Sequence, residues 1–96
     1  MTLQISWSSL RPITGSYQQL TPTVATGLTP PAGAAVAAMT ATTASVRYRD
    51  DGTAPDATHG VVIPSGVAPF YYAGDLSKIQ FISATGVLDV LYYATN

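Results

Sequence analysis

His59 is the only histidine of the chain, and it follows Asp56 by three residues in a stretch rich in turn-forming residues. A histidine beside a carboxylate can act as a general base or help to bind a metal ion. The spacing between Asp56 and His59 imposes no geometry on the two groups, however, and no serine lies in a Gly-x-Ser-x-Gly nucleophile pattern. We therefore expect a solvated loop here and no enzymatic activity.

The acidic residues of the same region offer a second kind of chemistry. Asp50, Asp51 and Asp56 carry oxygen ligands on a glycine-containing loop, which is the type of donor that calcium prefers. The spacing of an EF-hand is missing, and Arg47 and Arg49 stand close enough to neutralise the acids. We expect local ion pairing within the turn, with no metal and no cofactor.

A group of aromatic residues near the C-terminus allows two interpretations. Its members are Phe70, Tyr71, Tyr72, Tyr92 and Tyr93. Flat amphipathic rings can stack on sugars, which would make a carbohydrate-binding platform. Alternatively, alternate members fill the core and the rest lie at a protein interface, where tyrosine is enriched. We favour the second interpretation.

The composition argues for a protein whose surface is largely covered. Charged residues make up 9% of the sequence, against roughly 25% in an ordinary soluble domain. The net charge of −1 and the absence of a basic stripe argue against nucleic-acid binding. The longest apolar run, 34–39, is far shorter than the ~20 residues of a membrane helix, and the first residues lack a basic segment typical of a secretion signal. We expect synthesis in the cytoplasm and function as part of a larger assembly.

Frequent proline and glycine leave little room for long helices, so the elements that position these residues are predicted to be strands. The predicted fold is all-β, an antiparallel β-sandwich or jelly-roll-like small barrel of about eight short strands. Residues 17–96 are expected to form a single sandwich domain, and residues 1–16 an N-terminal arm or an extra strand. The predicted strands cover residues 3–7, 17–24, 34–42, 45–49, 60–63, 69–73, 78–83 and 87–93.

The last strand, 87–93, carries apolar residues on both of its faces. Its even-numbered residues form one face and its odd-numbered residues the other, because side chains alternate along a strand. Asp89 marks the odd-numbered face as the outer one, yet the other members of that face are apolar or aromatic: Val87, Leu91 and Tyr93. A row of exposed apolar residues indicates a contact surface. We predict a subunit contact here, extended by Ile82 from the preceding strand.

The opening residues add a further candidate for contact. Leu3, Ile5 and Trp7 alternate with polar residues, so they share one side of an extended segment. They either close the core or reach a neighbouring subunit. The strand 45–49 and the turn that Gly52 completes at positive φ are expected to supply a polar contact at the rim. The complete set of predicted contact residues is Trp7, Arg47, Arg49, Asp50, Asp51, Ile82, Val87, Leu91 and Tyr93.

Two-thirds of the chain resembles small virion proteins of tailed bacteriophages. The resemblance rests on the alanine-rich segment 34–39, the run Arg-Tyr-Arg-Asp-Asp-Gly-Thr-Ala-Pro at 47–55, the segment 74–82 and the closing strand 87–93. Such proteins are non-enzymatic β-sandwich subunits of the head or tail. The resemblance implies a virion location, a homo-oligomer, and the major capsid protein or another virion protein as partner.

The resemblance also sets the functional expectation. We expect a head decoration (cement) subunit that stabilises the capsid through subunit contacts. A neck or tail adaptor, or a fibre-associated subunit, is the first alternative, and a carbohydrate-binding module is the second.

Overall fold

The predicted all-β sandwich is confirmed. The computed structural model describes residues 9–96, and this part of the chain contains nine β-strands and no α-helix. The strands are β1 (Leu10–Pro12), β2 (Gln18–Leu20), β3 (Thr26–Gly27), β4 (Val36–Thr42), β5 (Val46–Arg49), β6 (Val61–Ile63), β7 (Phe70–Tyr72), β8 (Gln80–Ile82) and β9 (Val87–Thr95).

The strands form two antiparallel sheets. Sheet I has the order β1-β9-β4-β7, and β2 pairs with the same edge of β9 as β1 does, further along the strand. Sheet II has the order β3-β8-β5-β6. The two longest strands, β4 and β9, pair side by side along seven residues and form the centre of sheet I.

The core lies between the sheets and confirms the predicted alternation of β9. Leu88, Val90 and Tyr92 are buried, and they share the core with Met39 from β4 and Phe81 from β8. Buried side-chain nitrogen and oxygen atoms in the described residues all have hydrogen-bond partners. Apolar packing, with these polar groups satisfied, accounts for the stability of a chain that contains no cysteine.

Two neighbouring connections carry the chain from one sheet to the other. The turn after β4 leads into β5 through Thr43, which has a φ of 73°, and the turn after β8 leads into β9. Ser83 joins the two turns, because its hydroxyl donates to the Ser45 carbonyl at 2.8 Å and accepts from the Gly86 N–H at 2.8 Å. A Cβ at Gly86 would lie 2.8 Å from the Ala44 carbonyl oxygen, so only glycine fits there without a shift.

The crossing after β8 corrects the prediction for Ile82. Ile82 does not extend the apolar row of β9, because β8 belongs to sheet II and Ile82 lies opposite Arg47 there. The sequence signals for a hairpin and for a crossing between sheets are similar, since both consist of two strands around a short turn.

Some strand bounds also differ from the predictions. The strand predicted over 17–24 ends at Leu20, before Pro22, and a short strand β3 begins at Thr26. Residues 10–12 form β1, which was not among the predicted strands; Pro12 is tolerated because β1 is an edge strand. The strand predicted over 3–7 lies outside the described residues.

Candidate interaction surface on sheet I

The register of sheet I brings three side chains together on its outward face. Ala38 lies opposite Tyr71 of β7 on one side and opposite Leu91 of β9 on the other. Residues opposite each other in an antiparallel pair project to the same face. Leu91 is 45% exposed and Tyr71 is 49% exposed. Because alanine is short, the two larger residues border a depression above Ala38.

This depression is a mostly apolar groove of about 210 Å³. The residues that line it include Tyr17, Ala38, Tyr71, Asp89, Leu91 and Tyr93. Small-molecule sites usually enclose roughly 300–1,000 Å³. The groove therefore suits one large side chain or one ring better than an extended ligand. We call these residues and the groove they line the outer face of sheet I.

A polar cluster occupies one end of the groove. The Asp89 carboxylate accepts hydrogen bonds from the Tyr17 hydroxyl at 2.5 Å and from the Gln19 side-chain amide at 2.9 Å. The hydrogen bond to Asp89 raises the pKa of Tyr17, since it favours the protonated phenol, and burial acts in the same direction. Asp89, the charged residue of this face, thus accepts hydrogen bonds from two uncharged side chains.

The structure separates the predicted apolar contact residues. Val87, Leu91 and Tyr93 lie on the outer side of β9, where Leu91 is exposed and the other two are half-buried. Ile82 lies on the other sheet, and Trp7 lies outside the described residues.

The predicted polar residues surround the turn after β5. Arg49 and Asp51 form a two-pronged ion pair, with distances of 3.0 Å from Nε to Oδ1 and 2.6 Å from Nη2 to Oδ2. This hydrogen bonding lowers the pKa of Asp51 and raises the pKa of Arg49. Arg47 donates to the Gly60 carbonyl at 3.0 Å, which fastens the loop that follows the turn. Gly52 has the expected positive φ, 90°.

Asp50 has a different role, because it connects the turn to the opposite sheet. The Tyr72 hydroxyl donates to its carboxylate at 2.8 Å. Burial raises the pKa of Tyr72 to about 12, and this hydrogen bond is the second-largest cause of the rise. Close by, the rings of Tyr48 and Phe70 stack with centroids 5.2 Å apart, again across the two sheets. These contacts hold the edge of sheet I on sheet II.

The aromatic group divides between the core and the surface. Tyr92 is buried, and Phe70 and Tyr72 pack against the core. Tyr71 and Tyr93 line the outer groove. The predicted alternation of core and surface positions therefore describes this group, with Tyr92 in the core and its neighbour Tyr93 outside.

The structure brings His59 and Asp56 together in an exposed loop. His59 Nδ1 lies 2.8 Å from Asp56 Oδ1, and the same oxygen accepts from the backbone N–H groups of Thr58 and His59. The Thr58 N–H and the His59 side chain are the main causes that lower the pKa of Asp56 to about 2. This arrangement closes a turn, in a place where more than half of each side chain is open to water.

The carboxylates considered for calcium bind separate partners. Asp50 accepts from Tyr72, Asp51 from Arg49, and Asp56 from its own loop. Among residues 9–96, no three His, Cys, Asp or Glu side chains are grouped so that they could hold a metal ion.

Sequence reasoning missed several residues of the outer face. Tyr17 and Gln19 were predicted only as part of a strand, and Ala38 only as part of an apolar segment. Their importance comes from cross-strand register, which a single sequence does not reveal. Val61 and Val62 of β6, in sheet II, and Val67, in the connection to β7, are further exposed apolar residues that were also missed.

Comparison with known proteins identifies no relative. No protein-family model, no curated protein and no solved structure matches the chain. Among the described residues, no helix is long and apolar enough to cross a membrane.

Proposed function

We propose that the chain is a non-enzymatic structural subunit of a tailed-bacteriophage particle, and that it is a head decoration subunit. The observation that carries the proposal is the outer face of sheet I, where Leu91 and Tyr71 stay exposed on either side of an apolar groove. Exposed apolar surface arranged in a row favours protein contact. The resemblance to small virion proteins is the reason for proposing that this contact is made within a virion.

The mechanism would be burial of this face against a neighbouring virion subunit. Burial of apolar surface contributes roughly 25 cal/mol per Å² before the costs of association are subtracted. One such contact is modest. Repeated over a symmetric capsid lattice, many modest contacts give high avidity, which is how the subunit would resist the outward pressure of packaged DNA.

The copy number of the chain in purified particles tests the proposal. Quantitative mass spectrometry of phage particles from its source should give a number comparable to that of the major capsid protein. A few copies per particle would instead assign the chain to the neck or tail. Absence from the particles would refute the virion role altogether.

A matched pair of variants tests the surface. Leu91→Asp places a carboxylate on the outer face of sheet I, and Val62→Asp places one on sheet II at nearly the same exposure, 45% against 44%. We expect both variants to fold and only Leu91→Asp to be lost from particles. Normal incorporation of Leu91→Asp would show that this face makes no contact in the particle.

A carbohydrate-binding module is the second candidate, because the same groove combines aromatic rings with a polar cluster. Tyr71 could stack on a pyranose while Asp89 and Gln19 meet its hydroxyl groups. This function predicts a monomer with saturable affinity for a sugar, and a large loss of that affinity in Tyr71→Ala. Glycan-array binding of the wild type and the variant separates it from the structural role.

A further inference from the structure

We infer that the groove on the outer face of sheet I binds an arginine side chain of a partner protein. The inference rests on the proposed role of this face as an association surface, and it states the chemistry of the residue that the partner presents. Three features carry it: a carboxylate with an available oxygen, exposed aromatic rings beside that carboxylate, and a negative charge that the described residues do not neutralise.

The Asp89 carboxylate has one oxygen available to a ligand. The Tyr17 hydroxyl and the Gln19 side-chain amide both donate to its Oδ1. Its Oδ2 accepts no hydrogen bond from residues 9–96. An ionised carboxylate can accept about four hydrogen bonds, so Asp89 has capacity left. The two uncharged donors also fix the orientation of the carboxylate, which reduces the cost of ordering it when a ligand binds.

A second acceptor stands next to Asp89. Thr40 lies opposite Asp89 in the pairing of β4 with β9, and both residues line the groove. Side chains that are opposite each other on one face have Cβ atoms roughly 4.5–5.5 Å apart. The Thr40 hydroxyl forms no hydrogen bond within the described part of the chain. A guanidinium carries several N–H donors in one plane, so it can donate to both residues at once.

The remainder of the groove suits the flat face and the apolar stem of an arginine. The exposed rings of Tyr17 and Tyr71 border the groove together with Leu91. A guanidinium stacks on aromatic rings, and it gives up water more readily than an ammonium does. The methylene groups of the same side chain can cover Ala38 and Leu91. At about 210 Å³, the groove has room for one such side chain.

The charge of Asp89 states what the partner must bring. Both ion pairs formed among residues 9–96 lie within 49–59. On sheet I, Arg11 lies opposite Ala94, five strand positions from Asp89, which corresponds to about 16 Å. A contact that covered this face without a cation would bury an unpaired carboxylate, which is unfavourable. A symmetric pairing of two copies would enclose two such carboxylates, whereas an arginine of the partner supplies the opposite charge.

A pair of small probes tests the site on the full-length protein. N-acetyl-argininamide is titrated into the protein and followed by NMR chemical shifts, and N-acetyl-citrullinamide is the control, because it has nearly the same shape and no charge. A ligand of about 15 non-hydrogen atoms is expected to bind in the millimolar range. We expect saturable shifts at Tyr17, Asp89 and Leu91 with the arginine probe, and binding of the citrulline probe that is weaker by about tenfold or more.

Asp89→Asn tests the carboxylate itself. The asparagine keeps one oxygen for the Tyr17 and Gln19 donors and replaces Oδ2 by an amide group that donates. The affinity for the arginine probe should fall by about tenfold or more. The matched control is Asp75→Asn, which removes an exposed carboxylate outside the groove and should leave the affinity within about twofold. Circular dichroism checks that both variants are folded.

Two results with the wild type would overturn the inference. Absence of saturable shifts at the groove residues with the arginine probe would exclude an arginine site. Equal affinity for the arginine and citrulline probes would show that the charge of Asp89 does not contribute to binding. Neither result depends on a variant, so a variant that failed to fold would not prevent the test.

Incorporation into particles separates this inference from the proposed function. We expect Asp89→Asn to be lost from particles and Asp75→Asn to enter normally. If Leu91→Asp is lost but Asp89→Asn enters as well as the wild type, the arginine contact is refuted and the virion role stands. If the wild type itself is absent from particles, the virion role is refuted, and the titration alone decides whether the groove binds arginine.

Discussion

Separate alanine substitutions at Leu88 and Leu91 test the assignment of the two faces of β9. The two leucines are three residues apart on one strand, but Leu88 is 0% exposed and Leu91 is 45% exposed. Leucine to alanine removes three carbons, worth about 0.8 kcal/mol each when fully buried. Leu88→Ala also leaves a cavity between the sheets, so we expect a total loss of about 3–5 kcal/mol. Leu91→Ala should cost about 1 kcal/mol, because only about half of that side chain is buried and no cavity forms.

Thermal and urea unfolding of the two purified variants measures this difference. Each kcal/mol corresponds to roughly 4–8 °C in Tm for a domain of this size. Leu88→Ala should therefore lower Tm by more than about 12 °C, and Leu91→Ala by less than about 8 °C. The measurements are made at a concentration where the wild type is monomeric, so that association does not contribute. Equal losses, or a larger loss for Leu91→Ala, would refute the assignment of inner and outer faces.

Three further predictions concern the contacts that hold the turns. Folding raises the pKa of Tyr72 to about 12, so the contribution of its protonated hydroxyl to stability is complete below pH ~10 and is lost as pH rises toward 12. Urea titrations over this range should show a smaller loss in Tyr72→Phe than in the wild type, because the pKa values of Tyr48 and Tyr92 are raised as well. Folding lowers the pKa of Asp56 to about 2, so the contribution of its carboxylate to the stability of the fold is present above pH ~3.9 and is lost as pH falls toward 2. An NMR titration of Asp56 that gave an ordinary carboxyl pKa would contradict the loop geometry. Gly86→Ala places a Cβ 2.8 Å from the Ala44 carbonyl oxygen and should cost about 1–3 kcal/mol in chemical unfolding. Gly27→Ala, whose nearest neighbour would be 3.7 Å away, is the control and should lie within about 0.5 kcal/mol of the wild type.

Local patterns of the sequence were enough to predict the fold class and most strand positions. Two-residue periodicity separated the buried residues of β9 from its outer ones, because side chains alternate strictly along a strand. Proline and glycine marked the turns, since each restricts or permits particular backbone angles. Gly52 was assigned correctly on this basis.

The assignment of strands to sheets was not contained in those patterns. Consecutive strands such as β8 and β9 belong to different sheets, and the turn between them gives no local sign of the crossing. The crossing depends on contacts between turns that are far apart in the sequence, such as the hydrogen bond from Ser83 to Ser45. For this reason the placement of Ile82 beside β9 was wrong.

The same limit applies to the candidate surface. An exposed apolar position at Leu91 could be predicted from alternation and from the charge on Asp89. The groove could not, because it depends on a short residue, Ala38, lying between Tyr71 and Leu91 in the register of three strands. The hydrogen bond between Asp50 and Tyr72 also joins two sheets, and nothing in the local sequence of either residue indicates it.

The position of β9 has a consequence for the order of events during synthesis. It is the last strand of the described chain to leave the ribosome, yet β1, β2 and β4 all pair with it. Sheet I therefore cannot close before β9 has been made, and until then β1, β2 and β4 lack their common partner. The outer face of sheet I depends on the register of β4 with residues 87–93 of β9, so it forms only after those residues have been made. A chain that lacks β9 therefore cannot present the outer face of sheet I.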